Sequence, residues 1–134
     1  MNYWLVKTEP ETYSWDVFVA KGRDHWDGVR NFQARNNLNN MRPGDLALFY
    51  HSGKQKAVVG IAKVVSEPYP DPTTNDPRWV VVDLEPERPF KKTVTLQQIK
   101  SDSRLGNIGL VRQSRLSVIS LKEEEFDMIV AMEG

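Results

Sequence analysis

The sequence predicts an α+β domain in which short helices flank a small curved, barrel-like mixed sheet. Three observations predict it. Apolar runs, rich in aromatic or β-branched residues, recur at residues 3–6, 46–50, 57–65 and 116–119, each too short for a helix of ordinary length. Between them lie polar or capped segments that read as short helices. Strands and helices do not alternate regularly, so a parallel βαβ sheet is not expected.

Taken in order, Tyr3-Trp4-Leu5-Val6 opens a strand ending near Lys7, and Glu9-Pro10 stops it. Ser14 is placed to cap a helix over residues 15–20, which Lys21-Gly22 closes. Residues 31–41 form a polar helix with Phe32, Ala34 and Leu38 as its inward side chains; its asparagines favour turns and caps and blur its ends. Arg42-Pro43-Gly44-Asp45 is a turn into the strand 46–50, and Ser52-Gly53-Lys54 is the next turn. The strand 57–65 reads as buried, and Gly60 inside it marks a bulge or a close backbone approach. Pro68, Pro70, Pro72 and Pro77 make a loop. Strands follow at 79–84 and 90–94, then a helical turn over 96–99 capped by Thr95. After the strand 116–119, Ser120 opens the last helix, with Glu123 completing a capping box and Phe126, Ile129 and Val130 on its apolar face.

The chain has 134 residues, one domain's worth, and such a domain hides roughly two-thirds of the surface its unfolded chain exposes. No repeat, low-complexity tract or domain boundary interrupts it. It contains no cysteine, which excludes disulfides and thiolate metal sites and makes a reducing, cytoplasmic setting the expectation. The opening residues lack the pattern of a signal peptide, and no run approaches the ~18 apolar residues of a membrane span. Eighteen basic residues balance eighteen acidic ones, which weighs against a strong non-specific nucleic-acid coat. The charges are uneven, however. Residues 100–115 carry four basic side chains against one acidic, and residues 122–133 carry five acidic against one basic.

Two stretches carry the chemistry. Trp26-Asp27-Gly28-Val29-Arg30-Asn31, running on through Gln33-Ala34-Arg35-Asn36-Asn37, interleaves an aromatic ring, a glycine, amides and guanidinium groups. Phe49-Tyr50-His51-Ser52 ends an apolar strand in a ring, an imidazole and a hydroxyl. Buried amides and guanidinium groups are costly unless paired, so neither mixture serves a core, and the simplest reading is a pocket for a flat, polar ligand. Trp26 is the expected stacking platform, where a base on an aromatic ring is worth ~1–3 kcal/mol. Tyr50, Trp4 or Trp15 supplies a second wall. Asn31, His51, Ser52 and the backbone at Gly28 and Val29 select polar edges, and Arg30, Arg35, Arg112 and Arg115 hold flanking phosphates. With only His25 and His51 and no spaced carboxylate cluster, no metal site is expected. His51 and Ser52 are adjacent on a strand and point apart, which disfavours a local serine–histidine pair. No Gly-rich phosphate loop is present.

These residues resemble the EVE domain family of the PUA-like superfamily, related to YTH domains and thymocyte nuclear protein. The resemblance rests on Tyr3-Trp4-Leu5-Val6-Lys7-Thr8-Glu9-Pro10, Trp26-Asp27-Gly28-Val29-Arg30-Asn31, Ala34-Arg35-Asn36, and Gly44-Asp45 with Phe49-Tyr50-His51-Ser52. Gly60-Ile61-Ala62, Tyr69-Pro70-Asp71-Pro72 and Leu110-Val111-Arg112 through Arg115-Leu116-Ser117-Val118 extend it over nearly the whole chain. It implies a PUA-like fold and a reader of a modified base, such as a methylated or hydroxymethylated cytosine or a methyladenine in DNA or RNA, turned out into an aromatic pocket without a cofactor. It places that pocket between Lys7, Thr8 and Glu9, the turn at 26–31, and Tyr50-His51-Ser52. The family often has serine where this chain has Thr8, which keeps the hydroxyl. Two other functions fit the sequence. One is a small hydrolase of a modified nucleoside, using the amine, hydroxyl and carboxylate of Lys7, Thr8 and Glu9. The other is a protein-interaction module built on the acidic last helix.

Overall fold

Strand β1 (Tyr3–Thr8) and strand β3 (Leu46–His51) run parallel, from the Tyr3–Leu46 pair to the Thr8–His51 pair. This is the parallel step in a six-stranded sheet of order β2-β7-β4-β3-β1-β8, all other neighbours being antiparallel. The added strands are β2 (Asp24–His25), β4 (Ala57–Val64), β7 (Asp83–Thr95) and β8 (Val118–Leu121). A two-stranded ladder, β5 (Tyr69–Pro70) with β6 (Val80–Val81), stands apart. The computed structural model describes residues 1–134. The sheet curls into a half-barrel with short helices around it, the predicted mixed α+β architecture.

The helices are α1 (Trp15–Lys21), α2 (Phe32–Asn39), α3 (Leu96–Lys100), α4 (Gly109–Arg112) and α5 (Glu123–Ala131). Local chemistry sets their ends. The Ser14 hydroxyl accepts from the Val17 N–H, and Gly22 closes α1 at φ 73°, a left-handed conformation that glycine adopts without steric cost. Thr95 forms a capping box with Gln98. Phe18, Phe49, Leu5, Leu38, Leu48 and Ile129 are fully buried between sheet and helices.

Four expectations change. Residues 79–84 and 90–94 are not two simple strands: Val80–Val81 joins the side ladder, and β7 runs unbroken from Asp83 to Thr95 through Pro86 and Pro89. Register shifts against β4 absorb those prolines, which donate no ladder hydrogen bond. β2 was not foreseen, because two residues carry no periodicity. The last strand and helix lie later than expected. Ser120 pairs with Trp4 inside β8, and α5 instead begins after Lys122, whose N–H donates to Glu125 Oε1 at 2.8 Å. Phe32 does not point inward: it is 52% exposed at the first position of α2, while Ala34 and Leu38 are buried.

Gly60 is both a bulge neighbour and a close approach. The β4 register shifts beside it, and a Cβ built there would lie 2.6 Å from Trp15 Cη2. The Trp15 ring therefore lies directly over the β4 backbone and anchors α1 to the sheet.

Candidate functional site

At the C-terminal end of β1 the chain leaves the sheet, and β2 with the turn after it rises alongside. Between them opens a cleft of about 460 Å³ that includes Lys7, Thr8, Tyr13, Trp26, Asp27 and Arg30 in its lining. The turn is held from outside. Gly28 takes φ 74°, and its N–H donates to Asp71 Oδ2 at 3.2 Å. Arg30 Nη1 donates to the same oxygen at 3.0 Å, and the other carboxylate oxygen accepts from the Thr73 N–H and hydroxyl. Burial alone raises the Asp71 pKa, but the bonds from Thr73, Arg30 and Gly28 outweigh it and hold the carboxyl at about 2. Asp71 thus arrives from the proline loop as a buried anion that folds the turn around itself.

The walls combine rings and charges. Trp26 is mostly buried, its ring nearly perpendicular to Phe49 at 5.6 Å and to Tyr13 at 6.1 Å, and its exposed remainder lines the cleft. The Tyr13 hydroxyl donates to Asp24 Oδ2 at 2.7 Å, and Lys21 Nζ lies 3.3 Å from the same oxygen. Burial and the Asp24 bond push the Tyr13 pKa well above its ordinary value. Burial raises the Asp24 pKa, but Tyr13 and Lys21 more than offset it and keep the carboxylate charged. Asp27 is nearly half exposed and 3.1 Å from His25 Nε2. Burial lowers the Lys7 pKa, and its Nζ donates to the Ser114 carbonyl at 2.8 Å.

Lys7, Thr8, Trp26, Gly28, Val29 and Arg30 come together around this cleft; Glu9, Asn31, Tyr50, His51 and Ser52 do not line it. Asn31, His51 and Ser52 have other tasks. Asn31 caps α2, its Oδ1 accepting from the Ala34 N–H at 3.0 Å. His51 is buried; its Nε2 accepts from the Trp15 N–H at 3.0 Å, and its Nδ1 lies 2.7 Å from Gln55 Oε1. With Nε2 accepting, it is Nδ1 that faces the Gln55 side-chain oxygen. Ser52 continues the β1 pairing through its N–H to the Thr8 carbonyl. Tyr50 is buried on β3 opposite Lys7. Trp4 donates its Nε1–H to the buried Asp45, and Trp15 is in the core, so neither forms the second wall. Tyr13 does, and its only sequence signal was an aromatic residue in an otherwise polar loop. The Thr8 hydroxyl donates to the Tyr13 carbonyl, and with Glu9 outside, the amine–hydroxyl–carboxylate trio is not assembled.

A shallower depression of about 300 Å³ adjoins this cleft, lined by Asn31, Gln33, Arg112, Ser114 and Arg115 among others. Ser114 links the two through its bond to Lys7. Arg112 meets only a neutral acceptor, Asn107 Oδ1 at 3.2 Å. Arg35 lies elsewhere, over the Phe32 ring at 5.0 Å. No three His, Asp or Glu side chains converge to hold a metal ion, and no helix is long and apolar enough to cross a membrane.

The EVE domain family model matches residues 2–132. The chain belongs to the EVE domain family. Thymocyte nuclear protein 1 of Mus musculus is 37% identical to it, over 98% of this chain and 74% of that protein. Among solved structures, an Agrobacterium tumefaciens protein superposes with a TM-score of 0.97 at 41% identity, covering 100% of this chain and 94% of that one. Human THYN1, solved in complex with 5-methylcytosine-containing DNA, superposes with a TM-score of 0.93 at 34% identity, covering 99% and 98%. The two solved relatives share the fold over essentially the whole of this chain.

Proposed function

We propose that this EVE domain is a non-catalytic DNA-binding module that reads a modified cytosine, held out of its stack in the cleft between Lys7, Trp26 and Asp27. The observation that carries this reading is the match, over 99% of this chain, to the human THYN1 structure solved in complex with 5-methylcytosine-containing DNA. The local chemistry supports it. A volume of about 460 Å³ falls within the ~300–1,000 Å³ usual for small-ligand sites. A carboxylate accepts from the N4 amine of cytosine, and Asp27 offers one on a side chain nearly half exposed. Lys7 is a donor for a base carbonyl, and the margin of Trp26 with Val29 gives an apolar surface for a 5-methyl group. Extruding a base costs a few kcal/mol, which contacts in the cleft and phosphates on Arg112 and Arg115 offset.

The test is fluorescence-anisotropy binding of short duplexes carrying cytosine, 5-methylcytosine, 5-hydroxymethylcytosine or N6-methyladenine, in DNA and in the corresponding RNA. The reading expects tightest binding to a modified cytosine in DNA, with no change in the oligonucleotide after long incubation. Equal affinity across the panel sinks it, and release of an altered base or nucleoside replaces it with the hydrolase.

A further inference from the structure

Phe32 was expected in the core, yet half of it is in solvent, and its surroundings explain what it is suited to do. Its ring stacks on Trp79 with centroids 5.1 Å apart and 26° between planes. Trp79 is itself buried, so the pair is a fixed platform rather than two loose side chains. Three guanidinium groups surround the pair. Arg30 lies 5.6 Å from the Trp79 ring centroid, Arg78 lies 5.8 Å from Trp79 and 6.0 Å from Phe32, and Arg35 lies 5.0 Å from Phe32. Arg30 and Arg78 are ion-paired to Asp71 and Asp76. Arg35 has only neutral acceptors, the Asn36 side-chain oxygen and the Arg78 carbonyl, so its charge is uncompensated.

The platform is continuous with the cleft, because Arg30 lines the cleft and also lies over Trp79. We infer that the Phe32–Trp79 pair with Arg35 and Arg78 is a second nucleic-acid contact, which stacks an unpaired base next to the one held in the cleft and binds its phosphate. This inference rests on the cleft being a DNA site. An aromatic pair with a guanidinium group lying over it offers both kinds of flat surface, ring and guanidinium, on which bases stack irrespective of their sequence. An apolar protein partner is a poorer match, since Trp79 is already covered and the exposed ring is rimmed by positive charge. The contact therefore contributes affinity, and the cleft contributes the choice of modification.

The experiment measures binding of the protein and its Phe32→Ala, Phe32→Leu and Arg35→Gln variants to three DNA probes. These are a duplex with one 5-methylcytosine, the same duplex unmodified, and a single-stranded oligothymidylate. Thermal melting identifies any variant that fails to fold. Phe32→Ala should weaken all three probes by a common factor of about 5–150-fold and leave the methylated-to-unmodified ratio unchanged. Phe32→Leu, which keeps bulk but not the ring, should weaken them in the same direction. Arg35→Gln should reduce the slope of log affinity against log salt by roughly one phosphate contact. Wild-type affinity and salt slope in the folded variants, with methyl preference intact, overturn this inference and leave the cleft reading standing. Absence of binding to any probe by the unsubstituted protein overturns both.

Discussion

Asp71 and Arg30, 41 residues apart in sequence, meet through one carboxylate oxygen at 3.0 Å, and that same oxygen also accepts the Gly28 N–H. The proline loop is thereby coupled to the cleft rim. A group that accepts this many bonds while buried is costly to neutralise, since charge-assisted bonds are each worth ~1.5–3 kcal/mol. Asp71→Asn should lower the melting temperature by several degrees at neutral pH and weaken DNA binding through a loosened turn at Gly28.

Acid should act through the same carboxyl. Folding holds Asp71 at about 2, and Glu133 at about 2 through bonds from Arg88 and the Lys91 N–H that outweigh its burial. Both values lie below those of unfolded carboxyls, ~3.9 for aspartate and ~4.3 for glutamate. Their stabilisation is complete above the unfolded values and is lost as pH falls from about 4 through 2. Melting temperature should therefore be flat with respect to these groups at neutral pH and drop steeply below pH 4. Asp71→Asn should make that drop shallower, and an unchanged profile in the variant would show that Asp71 does not contribute.

Gly60→Ala places a Cβ against the Trp15 ring at 2.6 Å, where neither the β4 backbone nor the buried ring has room to move. Overpacking of this kind costs ~1–3 kcal/mol. Gly28→Ala has open space around the added carbon but forces φ 74° on an alanine, at ~1–2 kcal/mol. Denaturant melts should show both losses. Only Gly28→Ala should also change ligand affinity, because only Gly28 lies on the cleft.

The contrast between these glycines also shows what was legible in the sequence. Gly60 inside an apolar run announced a close approach, and strands β1, β3 and β4 followed from their short apolar runs of aromatic, aliphatic and β-branched residues. Lys7, Thr8, Trp26, Gly28, Val29 and Arg30 lie in continuous stretches of unusual polarity, and the fold keeps them together around one cleft. Asn31 and His51 look alike in sequence whether they serve a ligand or the backbone. Which task each has depends on partners at Ala34 and Trp15, and only the tertiary path brings Trp15 to His51. Tyr13 and Asp71 were invisible as site residues for the converse reason: their roles come from Asp24, Gly28 and Arg30, all distant in sequence.

His51→Ala should separate structure from recognition. It removes the acceptor for the buried Trp15 N–H at the start of α1, along with the ring's contact to the exposed Gln55. Loss of a buried hydrogen-bond partner costs ~1–3 kcal/mol. Calorimetry should record that loss, while the ratio of affinities for methylated and unmodified duplexes stays at its wild-type value. A changed ratio would return His51 to the ligand site.

Asp27 and the arginine pair at 112 and 115 should divide specificity from affinity. Asp27 is exposed enough that Asp27→Asn should shift stability by no more than ~0.5 kcal/mol, as for ordinary surface changes. Its effect should appear as weaker binding to cytosine-type probes at an unchanged salt slope, because a lost edge contact releases no counterion. Arg112→Gln and Arg115→Gln should do the reverse, weakening methylated and unmodified DNA alike and reducing the slope of log affinity against log salt by about one each. Titrations of each variant at several salt concentrations read both quantities from one data set. If Asp27→Asn altered the slope, or either arginine variant altered base preference alone, the division of labour between cleft and rim would have to be redrawn.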